Sequence, residues 1–124
     1  MNYFIVGVGG TAGSLARYGL GKYIMARTRN SFPWGTFIIN LSGAILLGIV
    51  SNLAISHSIL LLLADGFLGA YTTFSTFMYE GFSLFQGNKK RNAVIYIVAS
   101  LLLGLLGYYF GELIVNFFDL YQLL

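Results

Sequence analysis

The chain has 124 residues, of which 57% are hydrophobic and 9% charged, against roughly 25% charged in an average soluble domain. So few polar groups cannot cover that apolar surface in water; this excludes a soluble globular protein and predicts one integral membrane domain, 1–124. Cysteine is absent, histidine occurs once, at His57, and the formal charge is only +3. Disulfides, thiolate metal sites, a cysteine nucleophile, a histidine-based zinc centre and a nucleic-acid partner are therefore not expected.

A bilayer core about 30 Å thick needs roughly 20 mostly apolar helical residues to cross it. Four segments qualify, at about 3–25, 34–56, 59–85 and 93–118. The first lacks a basic start and runs on at membrane length, so it is read as a span and not as a removable leader. Its "GVGGTAG" imitates a dinucleotide-binding glycine fingerprint. That fingerprint needs a preceding strand and an acidic residue about 20 positions on, whereas these glycines lie inside a span and no acid precedes Asp65. Gly9 and Gly13 are better explained as small residues one turn apart that let helices approach closely, as are Ser100/Gly104 and Gly107/Gly111. Arg17, further along the same span, either snorkels to the interface or concentrates an anion in a vestibule.

The first linker, "ARTRNSFP", ends in the only proline, Pro33, which suits the start of a helix. In the second span Asn40 carries an amide that must be satisfied, by an interhelical hydrogen bond or by a passing anion. The second linker, "SHS", holds no Lys or Arg, whereas the first and third ("QGNKKRN") lie on the same side and share Lys22, Arg27, Arg29, Lys89, Lys90 and Arg91. The positive-inside rule puts that side in the cytoplasm and both termini outside.

The third span contains "GFLGAYTTFSTFMYEG", with four serine and threonine residues among apolar neighbours. Gly66, Gly69 and the adjacent β-branched Thr72 and Thr73 weaken a helix there. Either the helix breaks, releasing hard carbonyl donors that suit a small cation, or it continues with the hydroxyls bonded back to its own carbonyls. Phe74 and Phe77 share a helical face, and the positive edges of their rings suit an anion that a full cation would trap. Glu80 follows near the end of the span. In the fourth span Tyr96, Ser100 and Gly104 recur every four residues as a narrow polar strip. Asn40, Ser75 and Thr76 bring the donors to three helices.

The stretches "GGTAGSLARY", "PWGTFIINLSGAILLG" and "GFLGAYTTFSTFMYEG", with the Tyr96/Ser100 pair, resemble the Fluc/CrcB fluoride channel family over nearly the whole chain. The resemblance implies an all-α membrane protein of four transmembrane helices, broken in the third and assembled as an antiparallel dimer. It implies a passive, fluoride-selective channel that exports cytoplasmic fluoride across a bacterial plasma membrane, with a structural Na+ at the dimer centre. By position, the Gly69 and Thr72 carbonyls of both subunits would hold the sodium. Phe74 and Phe77 would form an aromatic box faced by Asn40, and Ser75, Thr76, Tyr96 and Ser100 a polar track. Arg17 and Glu80 would stand at the vestibule and pore end. Ala70, Tyr71 and Gly104 depart from residues common at those places in the family.

The one-sided charge suggests a preferred orientation, with either an oppositely oriented paralogous subunit or a second copy as partner. Two other readings are a four-span proton-coupled exporter of organic cations, which needs a titratable carboxylate inside a span where the first span has none and Asp65 and Glu80 lie toward opposite ends of the third, and a non-transporting membrane scaffold. No catalytic group converges, so an enzyme is not expected.

Overall fold

The computed structural model describes residues 2–28 and 31–123, and every regular element among them is helical. α1 is Asn2–Arg27 and α2 is Trp34–Ser51. A third rod begins as α-helix at His57–Leu60, widens to π-helical turns over Leu61–Leu68 and returns to α-helix at Gly69–Tyr71; these three pieces are α3, 57–71. The rod resumes as α4, Ser75–Gln86, and the chain ends in α5, Lys90–Leu123.

Glycine decides where the helices meet. A Cβ at Gly9 would strike the Leu62 carbonyl, one at Gly13 the Phe67 carbonyl, and one at Gly66 would come within 2.8 Å of the Val6 carbonyl. α1 and the π-helical stretch of α3 therefore touch backbone to backbone, as small residues permit in lipid. α2 and α5 do the same through Gly48 against the Tyr108 carbonyl and Gly111 against the Ile45 carbonyl. The Gly9/Gly13 and Gly107/Gly111 pairs are thus packing motifs, whereas Gly104 has no atom within 4 Å of its absent Cβ.

Two small cores result. Ile39, Val50, Leu68 and Tyr71 join α2 to α3, while Phe77, Leu84, Ala93 and Tyr96 join α4 to α5. Much of the remaining apolar surface faces outward, with Leu105 73% exposed on α5. Apolar side chains all round a helix suit hydrocarbon surroundings.

Three described helical stretches are long and apolar enough to cross a membrane: Trp34–Ser51, His57–Gln86 and Lys90–Asp119. α1 has 26 residues but is not among them; its glycines, with Thr11, Ser14, Arg17 and Lys22, dilute its apolar character. Four spans were expected, and the count by length and apolarity is three among the described residues.

Several boundaries also move. α2 stops at Ser51 and not near 56, because Asn52 turns back on it, its Nδ2 donating to the Gly48 carbonyl at 2.7 Å. The next helix starts at His57, capped by Ser56 Oγ, which accepts from the Ile59 N–H. α4 ends in a Schellman turn: Asn88 takes φ 59°, the Lys89 N–H donates to the Leu84 carbonyl at 2.9 Å, and α5 begins at once at Lys90 instead of 93. α5 also runs past 118 to Leu123. Of the six cations assigned to one side, Arg29 lies outside the described residues.

Gly48→Ala and Gly111→Ala force the α2 and α5 backbones apart and are expected to cost about 1–3 kcal/mol each. Thermal unfolding in detergent measures this. Gly7→Ala, where nothing lies within 4 Å of the added carbon, serves as the control and leaves the transition in place or raises it slightly.

Candidate functional site

The rod breaks where α2 grips it. Asn40 Nδ2 donates to the Thr73 carbonyl at 2.9 Å, and the Thr73 N–H donates to Asn40 Oδ1 at 2.9 Å. Such a two-point clamp satisfies both backbone groups of one residue, in two successive peptide units, so the backbone leaves the helix without orphaning them. Thr72 adopts an extended conformation, with φ −80° and ψ 159°. Gly43 makes the approach possible, since a Cβ there would strike Thr72 Cγ2. Tyr71, which is buried, anchors the other side through Ser42: Ser42 Oγ donates to the Ile39 carbonyl, so the tyrosine hydroxyl donates to Ser42 Oγ at 2.9 Å.

The clamp leaves specific groups free. In an uninterrupted helix the Thr73 N–H would close on the Gly69 carbonyl, and the Thr76 N–H on the Thr72 carbonyl. Instead the first goes to Asn40 and the second to Thr73 Oγ1 at 3.2 Å. Gly69 and Thr72 carbonyls thus lose their helical donors, and both residues line one cavity. These are uncharged hard oxygens at the negative end of α3, a donor set suited to a small alkali-metal cation and unsuited to a soft metal. The residues present therefore fit the sodium that the resemblance implies.

Three residues on, the start of α4 offers the opposite character. First-turn amides have no acceptor within their own helix, and the positive end of the dipole lies there. Phe74 stands beside it, 74% exposed, and Phe77 is buried 6.2 Å away between ring centroids. Phe77 in turn contacts Tyr96 at 5.2 Å, tilted by 52°. The Tyr96 hydroxyl and Ser100 Oγ are both buried and make no hydrogen bond within geometric limits among the described residues, although the Tyr96 hydroxyl lies near Thr36 and Glu80.

Two cavities divide the expected residues. One of about 390 Å³ gathers Asn40, Gly69, Thr72, Phe74, Phe77 and Ser100. The other, about 290 Å³, brings Arg17, Thr76 and Glu80 together with Thr36 and Thr73. Ser75, exposed at the start of α4, and Tyr96, fully buried, line neither. Asn40 meets the interhelical role among its two alternatives, since its oxygen and one N–H are committed to Thr73.

Sequence reasoning gave no role to Thr36 or Gly43, and took Thr73 only as a weak helix former. Thr36 Oγ1 donates to Glu80 Oε1 at 2.5 Å and ties the start of α2 to α4. The signal was its spacing: Thr36 precedes Asn40 by one turn on the same face of α2. Thr73 acts through its backbone on Asn40, for which side-chain chemistry carries no signal, and through Oγ1 on the Thr76 N–H, for which a hydroxyl three residues ahead of a helical amide is the signal.

Comparison with known proteins matches residues 4–112 to the family described as "CrcB-like protein, Camphor Resistance (CrcB)". The chain is 58% identical over 114 residues to the fluoride-specific ion channel FluC 2 of Clostridium acetobutylicum, covering 92% of this chain and 97% of that one. It is 41% identical over 121 residues to the fluoride-specific ion channel FluC of Acidobacterium capsulatum (94% and 97% covered). A fluoride-specific ion channel FluC of Thermus thermophilus is 41% identical over 122 residues (92% and 96% covered).

Asn40→Leu removes both arms of the clamp and leaves the part-buried N–H and C=O of Thr73 unpaired, a loss of about 1–3 kcal/mol for each orphaned group. Amide hydrogen exchange at Thr73 is expected to accelerate at least tenfold, with helices remote from the break unaffected. Unchanged protection at Thr73 would show that another group holds the break.

Proposed function

This chain belongs to the CrcB family, and on that premise we propose that it is a passive, fluoride-selective channel that carries cytoplasmic fluoride out across the cell membrane. The observation that carries the reading is that two buried hydroxyls, of Tyr96 in contact with Phe77 and of Ser100 in the same cavity as Phe77, make no hydrogen bond among the described residues. A hydroxyl sealed from water without an acceptor costs free energy. A small anion supplies that acceptor without adding a fixed charge to the wall.

Fluoride is compact and tightly hydrated, so a pore must replace its water with several donors yet hold it weakly enough for exit. Hydroxyls, first-turn amides of α4 and the positive edges of Phe74 and Phe77 meet both needs, because each contributes a partial charge only. Arg17 raises the local anion concentration at the mouth. Glu80, tied to Thr36, stands beside Thr76 at the end of the track. Neutral HF enters cells from acid surroundings and dissociates inside, so a passive path down the resulting anion gradient suffices for export.

In this reading the protein has four spans, α1 included, and works as an antiparallel dimer. The highly exposed Phe74 ring and the open carbonyls of Gly69 and Thr72 support a second subunit that covers them. A structural sodium held on those carbonyls from both subunits would neutralise the two facing negative helix ends and tie them together. Lys22, Arg27, Lys89, Lys90 and Arg91 flank two turns on one side, which favours one orientation and an oppositely oriented paralogous partner; self-pairing is the alternative.

Liposomes containing the protein are expected to release fluoride down its gradient and to retain chloride. Phe77→Ile removes the ring edge with little change in volume; efflux is expected to drop by at least tenfold, the rate equivalent of about 1.4 kcal/mol. Loss of the fluoride gradient at the rate of protein-free vesicles from the native protein sinks the reading.

Orientation is tested with a reporter at the C-terminus, expected outside. A cytoplasmic reporter would reverse the assignment. Purified chain alone that conducts as a dimer would remove the need for a paralogue.

A further inference from the structure

Asp65 lies inside the apolar stretch His57–Gln86, within the π-helical turns, between Ala64 and Gly66. An ionisable side chain in such a stretch is expensive and is kept only with a partner. No Lys or Arg occurs between His57 and Gln86, so its own rod offers none. It also stands near the C-terminal, negative end of α3, where an acid opposes the helix dipole. Local helix stability therefore does not account for it.

Its position relative to the freed carbonyls does. α1 covers one side of α3 through Gly66 and Phe67. Asp65 and Gly69 are both exposed and four residues apart, about one turn of the rod. The Gly69 and Thr72 carbonyls are dipoles with no net charge, and a cation seated on them in apolar surroundings lacks a counter-charge.

We propose that Asp65 supplies that counter-charge: its carboxylate strengthens the binding of a small monovalent cation on the Gly69 and Thr72 carbonyls. The inference rests on the sodium reading above and concerns its affinity. A unit charge about 6–12 Å from the ion, at an effective dielectric of about 20, strengthens binding roughly 10- to 100-fold. Asp65 is a positioning charge that acts through the ion and need not touch it.

The test follows thermal melting of the purified full-length protein while sodium chloride is replaced stepwise by N-methyl-D-glucamine chloride. Sodium is expected to raise the melting temperature. In Asp65→Asn the half-saturating sodium concentration is expected to increase at least tenfold, and in Asp65→Glu, which keeps the charge, to stay within about threefold of the native value. A native protein already saturated without added sodium, beside an Asp65→Asn protein that responds to it, supports the inference equally.

Equal midpoints in the native and Asp65→Asn proteins overturn it. So does a melting temperature lowered equally at every sodium concentration, which marks an ion pair between subunits, or the absence of any sodium response in both. Fluoride efflux from the native protein is measured in parallel. A sodium shift in Asp65→Asn with no native efflux leaves this inference standing and removes the channel reading; efflux without the shift does the reverse.

Discussion

The reciprocal hydrogen bonds between Asn40 and the Thr73 peptide are the constraint on which the site depends. Backbone cannot leave a helix at membrane depth unless its polar groups find partners in the protein or in a polar cavity. Asn40 provides an acceptor and a donor from a neighbouring helix, so the rod can interrupt itself for the few residues between Tyr71 and Ser75. Gly43 brings α2 close enough for the amide to reach, and Tyr71 pinned to Ser42 holds the approach from the other side.

Two surfaces of opposite character follow from that single interruption. The end of α3 presents carbonyl oxygens whose donors have been diverted, and the start of α4 presents amides that never had acceptors within the helix. One suits a cation and the other an anion, only a few residues apart. An unbroken helix would have hidden both sets in its own hydrogen bonds. The aromatic pair and the Tyr96/Ser100 hydroxyls border the anionic side and add partial charge without a full cation.

The close contacts of α1 with α3 and of α2 with α5 serve this arrangement. They hold the broken rod between helices whose backbones nearly touch, so that loss of helical continuity does not loosen the chain. The π-helical turns of Leu61–Leu68 occur where Gly9, Gly13 and Gly66 bring two backbones together, consistent with the tendency of such turns to mark functional sites. Asp65 sits in this same stretch, one turn before the carbonyls.

Composition and spacing alone determined that the protein is helical and of membrane type, because so apolar a chain has no other stable arrangement and its apolar runs match membrane length. The weak point near Gly69–Thr73, the Phe74/Phe77 pair and the Tyr96/Ser100 strip were also legible, since helical periodicity is a property of local sequence. α2 was read as five residues too long, because Asn52 ends it through a side-chain bond to Gly48 that apolarity does not encode. The rest needed three dimensions. Whether the third rod breaks was balanced at the level of propensity, and Asn40 decided it from 33 positions away in the chain. Thr36 gained its role only through Glu80, 44 positions on. Contacts at such separations are set by how helices pack, and only the folded chain brings their partners together.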